Sequence, residues 1–159
     1  MLDIIQPGGF DGLLALLGQR GHFTEAAEPS VVASLDWSLF ERFLEADPSI
    51  VRNLVQLVGE RLERREEHLQ SMVIRDPTRR LARQLSALAV AIGQLEVDGR
   101  FTIPRSVTHQ VLADMLGIRR ETVTLHLHRL AETGALDIQG RQLTVSRSKL
   151  EAIAQQEDD

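Results

Sequence analysis

Four polar side chains stand together in the stretch THQVLADMLGIRRETVTLHLHRL, residues 108–130: Arg119, Arg120, Glu121 and Thr122. Their chemistry suits a nucleic acid. An arginine fork can bridge the O6 and N7 acceptors of guanine, and a glutamate can accept from the cytosine amino group. Thr108, His109 and Gln110, at the start of the same stretch, suit phosphate oxygens, as do Thr122 and His128.

The elements that would position these groups are two short helices. Val111, Leu112, Met115 and Leu116 form the apolar face of the first, and Val123, Leu127 and Leu130 that of the second. Gly117 sits between them, where a left-handed residue is cheap only for glycine. Ala113 is small enough for a close helix crossing, and Val123 can fill the space behind the turn. The pattern is that of a helix-turn-helix. With 123, 127 and 130 inward, Arg119, Arg120, Glu121, Thr124, Leu125 and His128 fall outward. A polar N-terminal turn is what a recognition helix offers to base edges in a major groove. Leu125 can touch a thymine methyl. Two short strands follow, ALDIQ and RQLTVS, around Gln139-Gly140-Arg141, and Arg141 would make a contact from the tip of this wing.

Composition narrows the classes. The 159 residues contain 43% hydrophobic residues and no cysteine. A globular chain follows, without disulfides, thiolate zinc sites, cysteine-ligated iron–sulfur clusters or thiol redox sensing. No run approaches membrane-spanning length and no secretory signal opens the chain, so a cytoplasmic protein is expected. The net charge of -5 is unevenly spread. Residues 1–46 carry -5, 47–100 carry +1, 101–149 carry +3 and the last ten carry -4. A weakly basic module between acidic neighbours can still bind a polyanion.

Upstream, residues 1–36 read as short strands and turns, with a Pro-Gly-Gly turn in IIQPGGF and one strand in PSVVASLD. WSLFERFLEA is a short amphipathic helix. Asp47-Pro48 then opens a long helix whose stripe of Ile50, Leu54, Leu57, Val58, Leu62, Leu69 and Met72 runs through about residue 74. Some 25 residues make a helix of about 37 Å, too long for so small a core to cover, so a second copy of the same helix is the expected partner, through Leu54, Val58, Leu62, Leu69 and Met72. Asp76-Pro77 repeats the cap-plus-proline signal and marks a hinge; it starts the helix TRRLARQLSALAVAIGQL. FTI is a short strand and SKLEAIAQQ a last short helix. The expected class is mainly α (α+β), divided at 1–46, 47–75 and 76–159.

RDPTRRLARQL, THQVLADMLGIRRETVTLHLHRLAETGAL and IQGRQLTV resemble the C-terminal part of the cyclic AMP receptor/fumarate–nitrate regulator (Crp/Fnr) family. The resemblance covers residues 47–146. It implies a long dimerisation helix, a winged helix-turn-helix on a palindromic operator, and double-stranded DNA and RNA polymerase as partners. Arg120 and Glu121 fall on the family's base-reading positions, Thr108, His109 and Gln110 on its phosphate-contacting helix start, and Asp76 on its hinge. Leu125 stands where the family often has a second base-reading arginine. IIQPGGFDGLLALL and FTEAAEPSVVASLDWSLFERFLEADPSI resemble, more weakly, the second half of the family's sensor β-roll. On that resemblance Met1 falls inside the roll, and residues 1–46 are a partial β-roll remnant. Leu13 and Arg20-Gly21 replace the glutamate and Arg-Ser pair of the cyclic-nucleotide binders, so neither cyclic nucleotide nor another cofactor is expected. Haem through His22 stays open.

A metal-dependent enzyme using His109, His126 and His128 is the first competing reading. Side chains at i and i+2 on a helix point to different sides, so the HLH run cannot clamp one metal. One phosphate-facing histidine with the others on the surface is expected, and no catalytic constellation. Two further alternatives are a truncated regulator acting by heterodimerisation and a protein-interaction module without specific DNA binding.

Overall fold

Three helices begin at aspartate caps, two of them announced by the sequence at Asp47-Pro48 and Asp76-Pro77. The Asp36 carboxylate accepts from the Leu39 amide and opens α1, Trp37–Ala46. Asp47 accepts from the Ser49 amide at the start of α2, Pro48–Met72. Asp76 accepts from the Thr78 amide and opens α3, Pro77–Ile92, with proline in the first turn. The computed structural model describes residues 4–5, 7–12, 23–72 and 74–156, and at 64, 67, 68 and 70–72 the backbone alone.

The chain divides into two compact units, Phe10–Gln70 and Met1–Gly9 with Ser71–Asp159. In the first, Phe40 is buried, stacks on Phe10 and meets Trp37 at a tilt, with ring centroids 5.8 and 5.7 Å apart. Arg61 of α2 donates to the Phe10 carbonyl. The strand expected in PSVVASLD is not formed: residues 30–36 have no ladder partner among the described residues, and Val31 and Val32 lie open to solvent. A lone extended segment cannot satisfy its backbone as a sheet does. Leu13, Arg20, Gly21 and His22, named above for a sensor site, lie outside the described residues.

α2 has two apolar faces where one stripe was expected. Ile50, Leu54 and Leu57 are half-buried. Val51, Val55, Val58, Leu62 and Leu69 are exposed, and they step by four, three, four and seven residues. That is a 3.5-residue period, with Arg65 in the position between Leu62 and Leu69. Leu54 lies beside Val51 and Val58 but is half-buried, whereas Val51 and Val55 are exposed along the same stripe. The side chain of Met72 is outside the described residues.

The second unit is built on α3. Its Leu81, Leu85 and Leu88 are buried, with Ile92 packed beside them. The helix ends at Ile92, three residues before its expected limit. Gly93 turns the chain, and a side chain there would collide with the Ala89 carbonyl. Gln94 and Leu95 instead form β1, Gln94–Leu95, paired antiparallel with β2, Phe101–Ile103, across the Asp98-Gly99 turn. Then follow α4, His109–Leu116, and α5, Arg120–Glu132; β3, Leu136–Gln139, and β4, Gln142–Val145; and α6, Arg147–Ala154. The sheet order is β1-β2-β4-β3, antiparallel throughout. α6 lies on α3, and Leu150 closes the core. The result is helix-rich α+β, as expected.

Candidate nucleic-acid interface

The interface is assembled from the turn outward. Thr108 caps α4 by accepting from the Val111 amide, and Gln110 donates to Asp114. α4 ends at Gly117, whose φ of 65° and ψ of 35° are left-handed, and the amides of Gly117 and Ile118 both bond the Ala113 carbonyl. That geometry is open to glycine at little cost. Ala113 and Val123 are fully buried where the two helices cross. Arg80 of α3 donates to the Leu116 carbonyl and ties the turn to the scaffold.

α5 starts at Arg119 with no side-chain cap. No N-cap side chain therefore occupies its first amides, which is the condition for an anion at a helix N-terminus. Val123, Leu127 and Leu130 are buried as the spacing demands. Arg119, Arg120, Glu121, Leu125 and His128 are exposed, and Thr122 and Thr124 are half-buried. Arg120, Glu121 and Thr124 line one shallow surface cleft of about 280 Å³. Thr124 is less free than its neighbours: its hydroxyl donates to the Arg120 carbonyl at 3.1 Å and meets His109 Nδ1 at 2.9 Å.

The wing is braced from below. Arg100 bonds Asp137 at 2.8 Å and the Thr144 carbonyl at 2.9 Å, and Gln142 spans from Arg105 to the Ile103 carbonyl. Gly140, at a φ of 62°, makes the tip, and Arg141 beside it is exposed. A polar face of α4, a charged face of α5 and a hairpin tip thus share one compact unit.

One histidine departs from expectation. His126, taken as a surface residue, is only 5% exposed, and its Nδ1 meets the Thr78 hydroxyl at 2.9 Å, beside the Asp76 cap. It fills the gap between α5 and the start of α3. Periodicity hides it, because histidine at an inward position looks polar in the sequence. Burial pushes its pKa below the ordinary value, Arg129 pushes the same way, and Asp76 opposes them. An unfolded chain therefore takes up this proton first as pH falls. His109, whose pKa is also lowered, acts with the same sign. Melting temperature should fall as pH drops below about 6.5, and His126→Leu should flatten that fall in melts between neutral and mildly acidic buffer. An unchanged slope in the variant would place the proton elsewhere. Among the described residues no group of three histidine or acidic side chains could hold a metal ion, and no helix is long and apolar enough to cross a membrane.

Residues 79–153 match the model of the Crp-like helix-turn-helix domain. Residues 79–153 thus carry a Crp-like helix-turn-helix domain. It is 26% identical over 151 residues to a CRP-like cAMP-activated global transcriptional regulator of Mycobacterium tuberculosis, across 94% of this chain and 67% of that protein. It is 30% identical over 134 residues to the transcriptional regulator SdrP of Thermus thermophilus, across 84% of this chain and 62% of SdrP. The fold is similar to that of a CooA mutant from Carboxydothermus hydrogenoformans, with a TM-score of 0.65 and 24% identity, over 75% of this chain and 55% of that one. The chain thus spans a little over half the length of that solved structure. The Crp-like match starts at residue 79, three residues after the Asp76 cap.

Proposed function

We propose that this Crp-like chain is a sequence-specific DNA-binding transcriptional regulator acting as a homodimer, with no catalytic step of its own. The observation that carries the reading is the uncapped start of α5, which presents Arg119, Arg120 and Glu121 to solvent on a rigid, winged scaffold. In this reading Arg120 and Glu121 read base edges, with Arg119, Thr124 and Leu125 beside them. Thr108, His109, Gln110, Thr122, His128 and Arg141 hold phosphates. The exposed 3.5-residue seam of Val51, Val55, Val58, Leu62 and Leu69 supports pairing with a second copy, Asp76 and Pro77 serve as the hinge, and RNA polymerase is the further partner of a cytoplasmic regulator. A dimer would set two α5 helices about 34 Å apart, in successive major grooves of a pseudo-palindrome.

Selection from a pool of random DNA duplexes, at near-physiological salt and without added ligand, tests this. A two-fold-symmetric motif is expected. Recovery of only weak binding without sequence preference, with or without small-molecule extracts added, would overturn it.

A further inference from the structure

The contact between His109 and Thr124 has a chemical consequence for phosphate binding. The Thr124 hydroxyl has one hydrogen, so it serves the Arg120 carbonyl and His109 Nδ1, 2.9 Å away, together only by donating to the carbonyl and accepting from Nδ1–H. With the neutral ring held in that tautomer, Nε2 is a bare acceptor. A phosphate oxygen is also an acceptor. Neutral His109 held this way has nothing to offer it.

We propose that His109 is a proton-linked phosphate ligand: Thr124 holds the ring as the Nδ1–H tautomer, so a DNA phosphate can dock on Nε2 only by the uptake of one proton. The inference rests on the DNA-binding reading above and adds to it a dependence on pH. The proton comes from solvent and adds to the Nε2 lone pair; no bond of the protein breaks. The surroundings set the free ring neutral. Burial lowers its pKa most, and Arg120 and His128 of α5 lower it further. On its own helix Asp114 is turned to Gln110, and Arg80 of α3 is bound at the opposite end of α4. A phosphate dianion's worth of negative charge is not needed: one diester anion between His109, Arg120 and His128 reverses the balance that keeps the ring neutral.

The dependence is a property of this pair. Threonine at 124 with histidine at 109 creates the lock; either residue alone leaves the imidazole free to place its proton on either nitrogen.

The test is calorimetry of the full chain with its selected duplex, in two buffers of different ionisation enthalpy, together with affinity measured from about pH 8 to about pH 5.5. Wild type should take up one proton per bound protomer, and its affinity should rise toward the limit of about tenfold per pH unit for each proton, about a hundredfold for a dimer on its duplex. H109Q, whose amide donates without titrating, should bind with a flat profile. T124V keeps the shape but removes the lock. It should take up less proton and lose less affinity at high pH than wild type, which a purely structural role for Thr124 would not produce. Proton uptake in H128Q should persist. Salt-dependent DNA binding with no proton uptake, or with uptake that survives in H109Q, overturns the inference and leaves the DNA reading standing. No DNA binding at any pH overturns both.

Discussion

Leu127→Ala should destabilise the C-terminal unit by about 2–5 kcal/mol, the range for truncating a fully buried leucine. Leu127 has no exposure and belongs to the cluster that Leu81, Leu85, Leu112, Leu130 and Leu150 fill from four helices. Its removal leaves a void that rigid neighbours on α3, α4 and α6 cannot collapse into. Domains of this size hold together by only about 5–15 kcal/mol, so the loss is a large fraction of the total. The melting temperature should drop by about 10 °C or more. Leu125 provides the control within the same helix. It is 51% exposed, and Leu125→Ala should change stability by less than about 0.5 kcal/mol. The same substitution two residues apart thus separates the inward from the outward face. Equal losses at 125 and 127, in urea or thermal melts, would show that α5 is rotated from the orientation on which every interface assignment depends.

That orientation was legible in the sequence, and for a physical reason. Helix α5 buries a strict four-and-three spacing of Val123, Leu127 and Leu130, and Gly117 punctuates where only a left-handed residue fits. Local and tertiary preferences agree there, so pattern is enough. The caps at Asp47 and Asp76 were legible on the same ground, since a side-chain acceptor within two residues is a local interaction, whereas Asp36, read as the end of a strand, was not. Three further things were not. The apolar run PSVVASLD has strand composition, but strand formation needs a partner that residues 30–36 do not find. His126 is inward because a hydroxyl 48 residues away satisfies its nitrogen, and no periodicity carries that information. The lock between His109 and Thr124 spans the turn and depends on where one hydroxyl hydrogen points. The double face of α2 lies between these cases. Its exposed seam is written in the sequence at Val51, Val55, Val58, Leu62 and Leu69, but two interleaved stripes read as one until burial separates them.

Arg120→Ala should weaken binding to the selected duplex by about 1–3 kcal/mol and relax one base position in each half-site. Arg120 is the first residue of α5, exposed, with its carbonyl held by the Thr124 hydroxyl, so the backbone that carries the guanidinium is fixed while the side chain is free. A planar fork on a fixed stem suits the two acceptors of guanine in the major groove, and bidentate contacts of that kind discriminate by about 1–3 kcal/mol. The alternative is that Arg120 only neutralises phosphate. The two roles differ in what salt does. Loss of a base contact leaves the slope of log affinity against log salt nearly unchanged, whereas loss of a phosphate contact lowers it by about one and weakens all sequences alike. Arg141→Ala, at the exposed wing tip, should behave in the second way. Titrating both variants against the selected duplex and a scrambled one, at several salt concentrations, separates the roles. If Arg120→Ala keeps the full sequence preference and only lowers the salt slope, base reading passes to Glu121 and Arg119, and α5 lies on the groove edge instead of in it.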